Sequence, residues 1–197
     1  MKNNPVWGLT GSIATGKSTI LKYIEENSNI KIIQADHIGH DVLKIPEIID
    51  SVVQEFGEDI LTDGAINRRT LGKLVFSDKS KLQNLNSIVQ PEIRKLLRNK
   101  IEELAQDNPV IVEMAILIEM SWQDEFDKII LVTCDSDIQF KRLLNRGRYS
   151  TAEAMSRIDN QLSPSETNQY ADFLIDTTNE FESYEEEIKN IIKKLTK

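Results

Sequence analysis

The residues best suited to chemistry form a glycine-rich segment near the amino end of the chain. Gly11 to Ser18 reads GSIATGKS and matches the pattern G-x-x-x-x-G-K-[ST] at every fixed position. In such a loop the backbone N–H groups point inward and bind an anion, and the following helix adds the positive end of its dipole. Lys17 can reach the β- and γ-phosphates of a nucleotide, and the Ser18 hydroxyl can bind Mg²⁺. The sequence therefore predicts a nucleoside triphosphate site formed by Gly11, Ser12, Ile13, Ala14, Thr15, Gly16, Lys17, Ser18 and Thr19.

Two acidic residues stand at the ends of later apolar runs. Asp36 follows the second run, and a carboxylate at the carboxyl end of a strand near a phosphate loop can accept a proton from a substrate hydroxyl. The alternative is that Asp36 caps a helix that begins at His37. Glu113 follows the third run and either holds a metal-bound water or pairs with a basic side chain. His37 and His40 are interpreted more simply as surface or packing histidines.

A group of basic residues follows the fourth apolar run. Its members are Lys141, Arg142, Arg146 and Arg148, with Gln139 before them. Arginines compensate the charge that spreads over the oxygens of a phosphoryl group during its transfer. The alternative is a solvated helix face. A GTPase is disfavoured because the sequence has no N-K-x-D segment and no D-x-x-G segment after the third run.

Short apolar runs and helical patterns alternate along the chain and predict the elements that position these groups. The runs cover residues 6–10, 30–35, 110–112, 129–132 and 173–175. Continuous apolar runs between helices are typical of a parallel sheet covered on both faces, as in an open α/β sandwich. Helical periodicity covers residues 45–56, 93–104 and 181–195, and Ser150 to Glu153 fits a capping box. The stretch from Glu47 to Asn108 is predicted to be almost wholly helical, as an insertion that shapes a substrate pocket or as extra packing.

Composition narrows the class of protein further. The chain has 197 residues and a formal net charge of −8, which disfavours a protein that coats nucleic acid. One cysteine and two histidines exclude an intrachain disulfide and disfavour a structural zinc site. The first residues lack the apolar run of a signal peptide, and no segment approaches a membrane span. We therefore expect a cytoplasmic protein that binds neither nucleic acid nor membranes, as a monomer or small homo-oligomer.

Taken in order, the motifs resemble those of the dephospho-CoA kinase family, which phosphorylates the ribose 3′-hydroxyl of dephospho-CoA. The resemblance covers nearly the whole chain. Gln34-Ala35-Asp36 stands where that family has D-A-D, with glutamine in the first place. The other segments that carry the resemblance are 8–19, Phe56-Gly57, Asp63-Gly64, Asn67 to Leu71, Val75-Phe76, Leu117 to Glu119, Gln139 to Leu143, Ile158, Gln161 and Ala171-Asp172.

The resemblance implies a three-layer α/β P-loop kinase fold as a single domain over residues 1–197. It implies a nucleotide-binding core at about 1–45 and 108–197, a helical acceptor-binding insertion at about 46–107 and a lid at about 142–168. It also implies ATP as phosphoryl donor and dephospho-CoA as acceptor, with Mg²⁺ at Ser18. On this basis Asp36 is the general base, Lys17 steadies the transferred phosphoryl group and Arg142 clamps transition-state charge. Substrate contacts are implied for Thr10, Asp36, Arg68 and Arg69, although the two arginines could instead be a surface pair at a helix start.

The chain departs from the family pattern at three places. Gln90-Pro91 replaces His-Pro, residues 163–168 lack the usual arginines, and residues 176–179 replace D-N-x-G. These changes concern the charge of the lid and the adenine pocket, and Arg146, Arg148 or Arg157 could supply the lid charge. Two alternatives remain open: another small-molecule or nucleotide kinase of the same fold, and a nucleotide-binding regulatory protein without turnover.

Overall fold

The computed structural model describes residues 3–147 and 149–197, and it contains a central sheet with a separate small hairpin. The strands are β1 (Val6–Thr10), β2 (Lys31–Gln34), β3 (Leu61–Thr62), β4 (Ala65–Ile66), β5 (Val110–Glu113), β6 (Lys128–Thr133) and β7 (Phe173–Asp176). The helices are α1 (Lys17–Asn27), α2 (Ala35–Val42), α3 (Pro46–Phe56), α4 (Arg68–Phe76), α5 (Lys79–Leu104), α6 (Ser136–Asn145), α7 (Thr151–Asp159), α8 (Pro164–Thr167) and α9 (Glu185–Leu195).

The central sheet has the strand order β2-β5-β1-β6-β7. β1 pairs in parallel with β5 and β6, and β6 pairs in parallel with β7. The prediction of an α/β protein with a parallel sheet is confirmed, and each predicted apolar run overlaps a strand. The second run ends earlier than expected, because Ala35 already begins α2.

The two faces of the sheet are covered by different parts of the chain. Alternate β1 residues Trp7 and Leu9 belong to an apolar core that includes Ile20 and Ile24 of α1 and Ile188 of α9. On the opposite face, a Cβ atom at Gly8 would lie 2.7 Å from Leu117 and 3.0 Å from Phe126. Burial on both faces explains why the three central strands β1, β5 and β6 have nearly continuous apolar sequences.

Residues 34–100 form a second compact unit, distinct from the unit made by residues 1–33 and 101–197. It contains α2, α3, α4, most of α5 and the antiparallel pair β3–β4. Its core includes Val42, Val52, Leu71, Val75 and Val89, which come from each of its four helices.

The prediction that the stretch from Glu47 to Asn108 is almost wholly helical is wrong at one place. Asp63 and Gly64 have φ angles of 51° and 77° and form the turn between β3 and β4. Two successive residues with positive φ are what a tight hairpin requires, and Asp-Gly is a favoured pair there. The turn signal is present in the sequence, but strands of two residues are too short to show an alternating pattern.

A third, smaller apolar cluster joins the first loop to α6 and α7. Ala14, Leu143 and Ala154 are its buried members, and Ile13 and Ile158 pack against it. Helix α7 begins at the predicted capping box, in which the Ser150 and Glu153 side chains bond reciprocally to backbone N–H groups. Within the described ranges, no helix is long and apolar enough to cross a membrane.

Candidate active site

The glycine-rich loop lies between the end of β1 and the start of α1, which is the predicted context. Gly11 and Gly16 have φ angles of 146° and 94°, and Ala14 also adopts a positive φ of 61°. A Cβ atom at Gly11 would lie 2.2 Å from the carbonyl oxygen of Val132, so no other residue fits there without displacing backbone. The shape of the loop at Gly11 therefore has a steric cause.

The Lys17 ammonium group lies across this loop. Its Nζ donates to the carbonyl oxygens of Gly11 at 2.7 Å and Ser12 at 3.0 Å. Ser18 and Thr19 are exposed in the first turn of α1, and the Thr19 N–H donates to the Gly16 carbonyl. This arrangement places the Lys17 ammonium group beside the amino end of α1, as binding of a polyphosphate requires.

Two glutamine side chains bind the first part of the loop. Gln161 Oε1 accepts hydrogen bonds from the Ile13 N–H at 2.7 Å and from the Ser12 hydroxyl. Gln139 Nε2 donates to Ser12 Oγ at 2.6 Å and to the Ile13 carbonyl at 2.7 Å. The sequence did not predict these bonds, because nothing in the local pattern around either glutamine indicates a bond to a distant loop.

Arg142 is attached to the same loop through Thr177. Its Nη1 and Nη2 donate to Thr177 Oγ1 at 2.9 Å and to the Thr177 carbonyl at 2.7 Å. Thr177 is fully buried, and its hydroxyl lies 2.7 Å from the Thr15 carbonyl and 3.2 Å from that of Thr133. The threonine that departs from the family pattern therefore connects α6 with the loop, a role that the sequence did not indicate.

The other basic residues considered for the lid have different surroundings. Arg146 ends α6 as its C-cap residue. The Arg157 guanidinium lies 4.5 Å above the centre of the Tyr149 ring. Arg148 lies outside the described residues.

A cavity of about 320 Å³ adjoins the start of the loop. Thr10 is almost fully buried beside it, and its hydroxyl donates to the Ala115 carbonyl at 3.3 Å. Cys134 also lines the cavity; burial raises the pKa of its thiol, against the opposing effect of the Arg142 charge. The further polar lining includes Ser12, Thr15, Glu119, Gln139, Gln161 and Thr167.

Asp36 lies in the second compact unit, exposed in the first turn of α2. The residue at the N-cap position of this helix is Gln34, so the alternative interpretation of Asp36 as the helix cap is wrong. His40 follows Asp36 by one helical turn, which places both on one face of α2. The pKa of His40 is lowered by burial and by the charge of Arg68, whereas Asp36 acts in the opposite direction.

Arg68 and Arg69 begin α4 after Asn67, whose Oδ1 accepts from the N–H groups of Arg69 and Thr70 at 3.1 Å each. Arg68 precedes the buried Leu71 by three residues, so it lies toward the side of α4 that faces the core of its unit. Arg69 lies about 100° further round the helix. The two arginines are therefore not equivalent, and Arg68 is the one whose charge reaches α2.

The described residues include no group of three or more His, Cys, Asp or Glu side chains that could hold a metal ion. Glu113 is half-buried at the end of β5, between the strands that lead to the loop and to Asp36. Its two predicted roles are not tested by this geometry.

Comparison with known proteins gives a consistent result. The family model "Dephospho-CoA kinase" matches residues 6–183. A dephospho-CoA kinase of Carboxydothermus hydrogenoformans is 39% identical over 194 residues, covering 96% of this chain and 94% of the relative. A second, from Dehalococcoides mccartyi, is 35% identical over 193 residues, with 96% and 95% covered.

Solved structures agree with this assignment. A dephospho-CoA kinase from Campylobacter jejuni has a TM-score of 0.73 at 26% identity, covering 97% of this chain and 96% of that one. A Thermus thermophilus protein has a TM-score of 0.85 at 26% identity over the full length of both chains. A shikimate kinase from Acinetobacter baumannii, at 12% identity and a TM-score of 0.56, covers all of this chain and 97% of its own, and shares the fold.

Proposed function

Because this chain belongs to the dephospho-CoA kinase family, we propose that Asp36, Lys17 and Arg142 carry the ATP-dependent phosphorylation of dephospho-CoA. The reaction gives CoA and ADP and is a step of CoA biosynthesis. The 3′-oxygen of the ribose forms a bond to the γ-phosphorus, and the bond from that phosphorus to the β–γ bridging oxygen breaks. The hydroxyl proton must go to a base, and the negative charge that builds on the leaving ADP must be compensated.

The observation that carries this proposal is the geometry of the loop with Lys17. The ammonium group is held 2.7 Å from the Gly11 carbonyl, at the amino end of α1. Polyphosphate oxygens are stronger acceptors than backbone carbonyls, so Lys17 transfers its hydrogen bonds to them when ATP binds. The residues from Gly11 to Thr19 then surround the β- and γ-phosphates with backbone N–H groups, apart from those of Ile13 and Thr19, which donate to Gln161 and to the Gly16 carbonyl.

Asp36 is the proposed general base. It is an exposed carboxylate at the second residue of α2, just after β2, and it does not occupy the N-cap position of that helix. An accessible carboxylate can accept a proton from a hydroxyl group and release it to water.

Arg142 is the proposed charge clamp. Its guanidinium carries five N–H donors, and the two bonds to Thr177 leave others for phosphate oxygens. Thr177 orients the Arg142 guanidinium and also donates to the Thr15 carbonyl of the loop. The guanidinium and the loop are therefore held in place by the same residue.

The acceptor contacts are proposed for the second unit. The charge of Arg68 acts on His40 of α2, the helix that carries Asp36. Arg68 is therefore the stronger candidate for binding the phosphates of dephospho-CoA, and Arg69 is the weaker one. Thr10 is proposed to contact the transferred group or the acceptor from the loop side, through a hydroxyl that can also accept a hydrogen bond. The division into core, acceptor-binding insertion and lid belongs to the same proposal.

Mg²⁺ fits the residues at the loop. It prefers hard oxygen ligands and takes most of them from phosphates and water, so the single hydroxyl of Ser18 is sufficient on the protein side. When bound, the ion would neutralise charge on the β- and γ-phosphates. A cytoplasmic location and a monomeric or small homo-oligomeric state stay predictions.

The test of this proposal is Asp36→Asn, with Asp41→Asn on the same helix as matched control. Asp41 is paired with Lys44 at 2.7 Å and has no proposed role. We expect Asp36→Asn to lower kcat at least about 100-fold, because general-base catalysis contributes that much, with ATP affinity nearly unchanged. Near-normal turnover in this variant would remove Asp36 from the mechanism, and an equal loss in the control would point to damage to α2.

A further inference from the structure

Gln161 binds the loop from a part of the chain 148 residues away. The Ser12 hydroxyl donates to Gln161 Oε1 while accepting from Gln139 Nε2, so the three side chains form one directed series of hydrogen bonds. Gln139 is only 6% exposed, and its second bond, to the Ile13 carbonyl, fixes its orientation. The position of the Gln161 oxygen is therefore defined by groups that cannot easily rotate.

Apolar contacts between the loop and α7 cannot define this position alone. Ile13 and Ala14 pack with Ala154 and Ile158, but such contacts have no direction and permit sliding. Hydrogen bonds have narrow preferred distances and angles. The hydrogen bonds of Gln161, which follows α7, thus fix the register of the segment after α7 against the loop.

This register determines one wall of the cavity. Gln161, Leu162, Ser163 and Thr167 line the cavity from one side, and Gly11, Ser12 and Thr15 line it from the loop side. Loss of the Gln161 bonds would remove two hydrogen bonds that hold this wall against the loop. Water would then reach the space beside the phosphate-binding residues.

We propose that Gln161 is a positioning residue that keeps water away from the γ-phosphoryl group by holding the segment after α7 against Ser12 and Ile13. The inference rests on the proposed function. The competing reaction is attack by water instead of the ribose 3′-oxygen. In that reaction a water oxygen bonds to the γ-phosphorus, the bond to the ADP oxygen breaks, and the products are ADP and inorganic phosphate. Gln161 touches neither ATP nor acceptor in this account and acts through the loop.

The test compares two substitutions of Gln161 with a control. Gln161→Met keeps the length of the side chain but removes the accepting oxygen, and Gln161→Glu keeps an accepting oxygen. Gln169→Met is the matched control, because the exposed Gln169 donates to the nearby Glu166 carbonyl at 3.1 Å and not to the loop. For each protein, inorganic phosphate and CoA are quantified from the same reaction with ATP, Mg²⁺ and dephospho-CoA.

We expect Gln161→Met to lower the rate of transfer about tenfold and to raise the ratio of phosphate to CoA at least about fivefold, as the loss of two neutral hydrogen bonds implies. Gln161→Glu should keep that ratio within about twofold of the wild type, with a higher KM for ATP because its charge lies near the phosphates. A purely structural role would lower the rate without changing the ratio.

A wild-type ratio in Gln161→Met, or an equal rise in Gln161→Glu, would overturn the inference. Should Gln161→Met fail to fold, Gln161→Asn replaces it with the same expectation, because the shorter amide does not reach Ile13. Failure of the proposed function would look different, since the wild-type protein itself would then form no CoA.

Discussion

At the scale of single residues, Gly11 shows how the loop sequence follows from steric limits. Its φ of 146° is a conformation that side chains disfavour, and the Val132 carbonyl occupies the space where a Cβ atom would stand. The sequence motif predicts a glycine here for binding phosphate. The structure adds that this glycine is also required for packing the loop on β6.

We therefore predict that Gly11→Ala destabilises the fold by about 2–6 kcal/mol, combining backbone strain and overpacking of about 1–3 kcal/mol each. Urea unfolding measures the change. Gly64→Ala is the control, because Gly64 also has a positive φ, 77°, but meets no atom within 4 Å at its Cβ position. It should cost only about 1–2 kcal/mol. Equal losses in the two variants would contradict a steric role for Gly11.

At the scale of elements, α2 and α4 are held together by a shared apolar core and bring charged groups close to each other. Val42 of α2 packs in the same cluster as Leu71 and Val75 of α4. On the outer side, His40 lies within electrostatic range of Arg68 and Asp36. From the sequence, His40 is interpreted as a surface or packing residue, because helical periodicity alone does not reveal which helices meet.

The pKa of His40 reports this arrangement. Burial is the main cause that lowers it, and Arg68 adds to the effect. Because the folded pKa lies below the unfolded one, the folded state binds fewer protons, and stability falls as the pH drops through the ordinary histidine range toward the folded pKa. Below the folded pKa, the contribution of neutral His40 to the free energy of unfolding is completely lost.

We predict that Arg68→Ala raises the pKa of His40 and that Asp36→Asn lowers it further, because each substitution removes one charge of known sign. NMR titration of the His40 ring measures both shifts. Arg69→Ala is the matched control and should leave the pKa nearly unchanged. A larger shift in the Arg69 variant than in the Arg68 variant would contradict the conclusion that Arg68 is the arginine whose charge acts on His40.

At the scale of the whole molecule, the elements were more predictable than their arrangement. The apolar runs, the loop and the capping box at Ser150 follow from local rules, and each is found in the structure. The placement of β5 between β1 and β2 does not follow from chain order, because residues 35–109 intervene between β2 and β5. The bonds of Gln161 and Thr177 to the loop cross 148 and 162 residues, a separation over which local sequence patterns carry no information.

The two compact units lead to a prediction about ligand binding. We expect ADP to slow amide hydrogen exchange in the loop and in α1, whereas dephospho-CoA alone slows exchange mainly within residues 34–100. Hydrogen exchange followed by mass spectrometry distinguishes these regions, and the protein without either ligand serves as the reference. Protection by dephospho-CoA confined to the first unit would contradict the proposed place of the acceptor.

The most direct test of the central claim is the product formed by the purified wild-type chain from ATP, Mg²⁺ and dephospho-CoA. Product mass and ³¹P NMR identify the site of phosphorylation, and a coupled assay follows ADP release with and without the acceptor. We predict that ADP release depends on dephospho-CoA and that the product carries one added phosphate on the ribose 3′-hydroxyl. ADP release that is independent of the acceptor, or a phosphate at another position, would contradict the account.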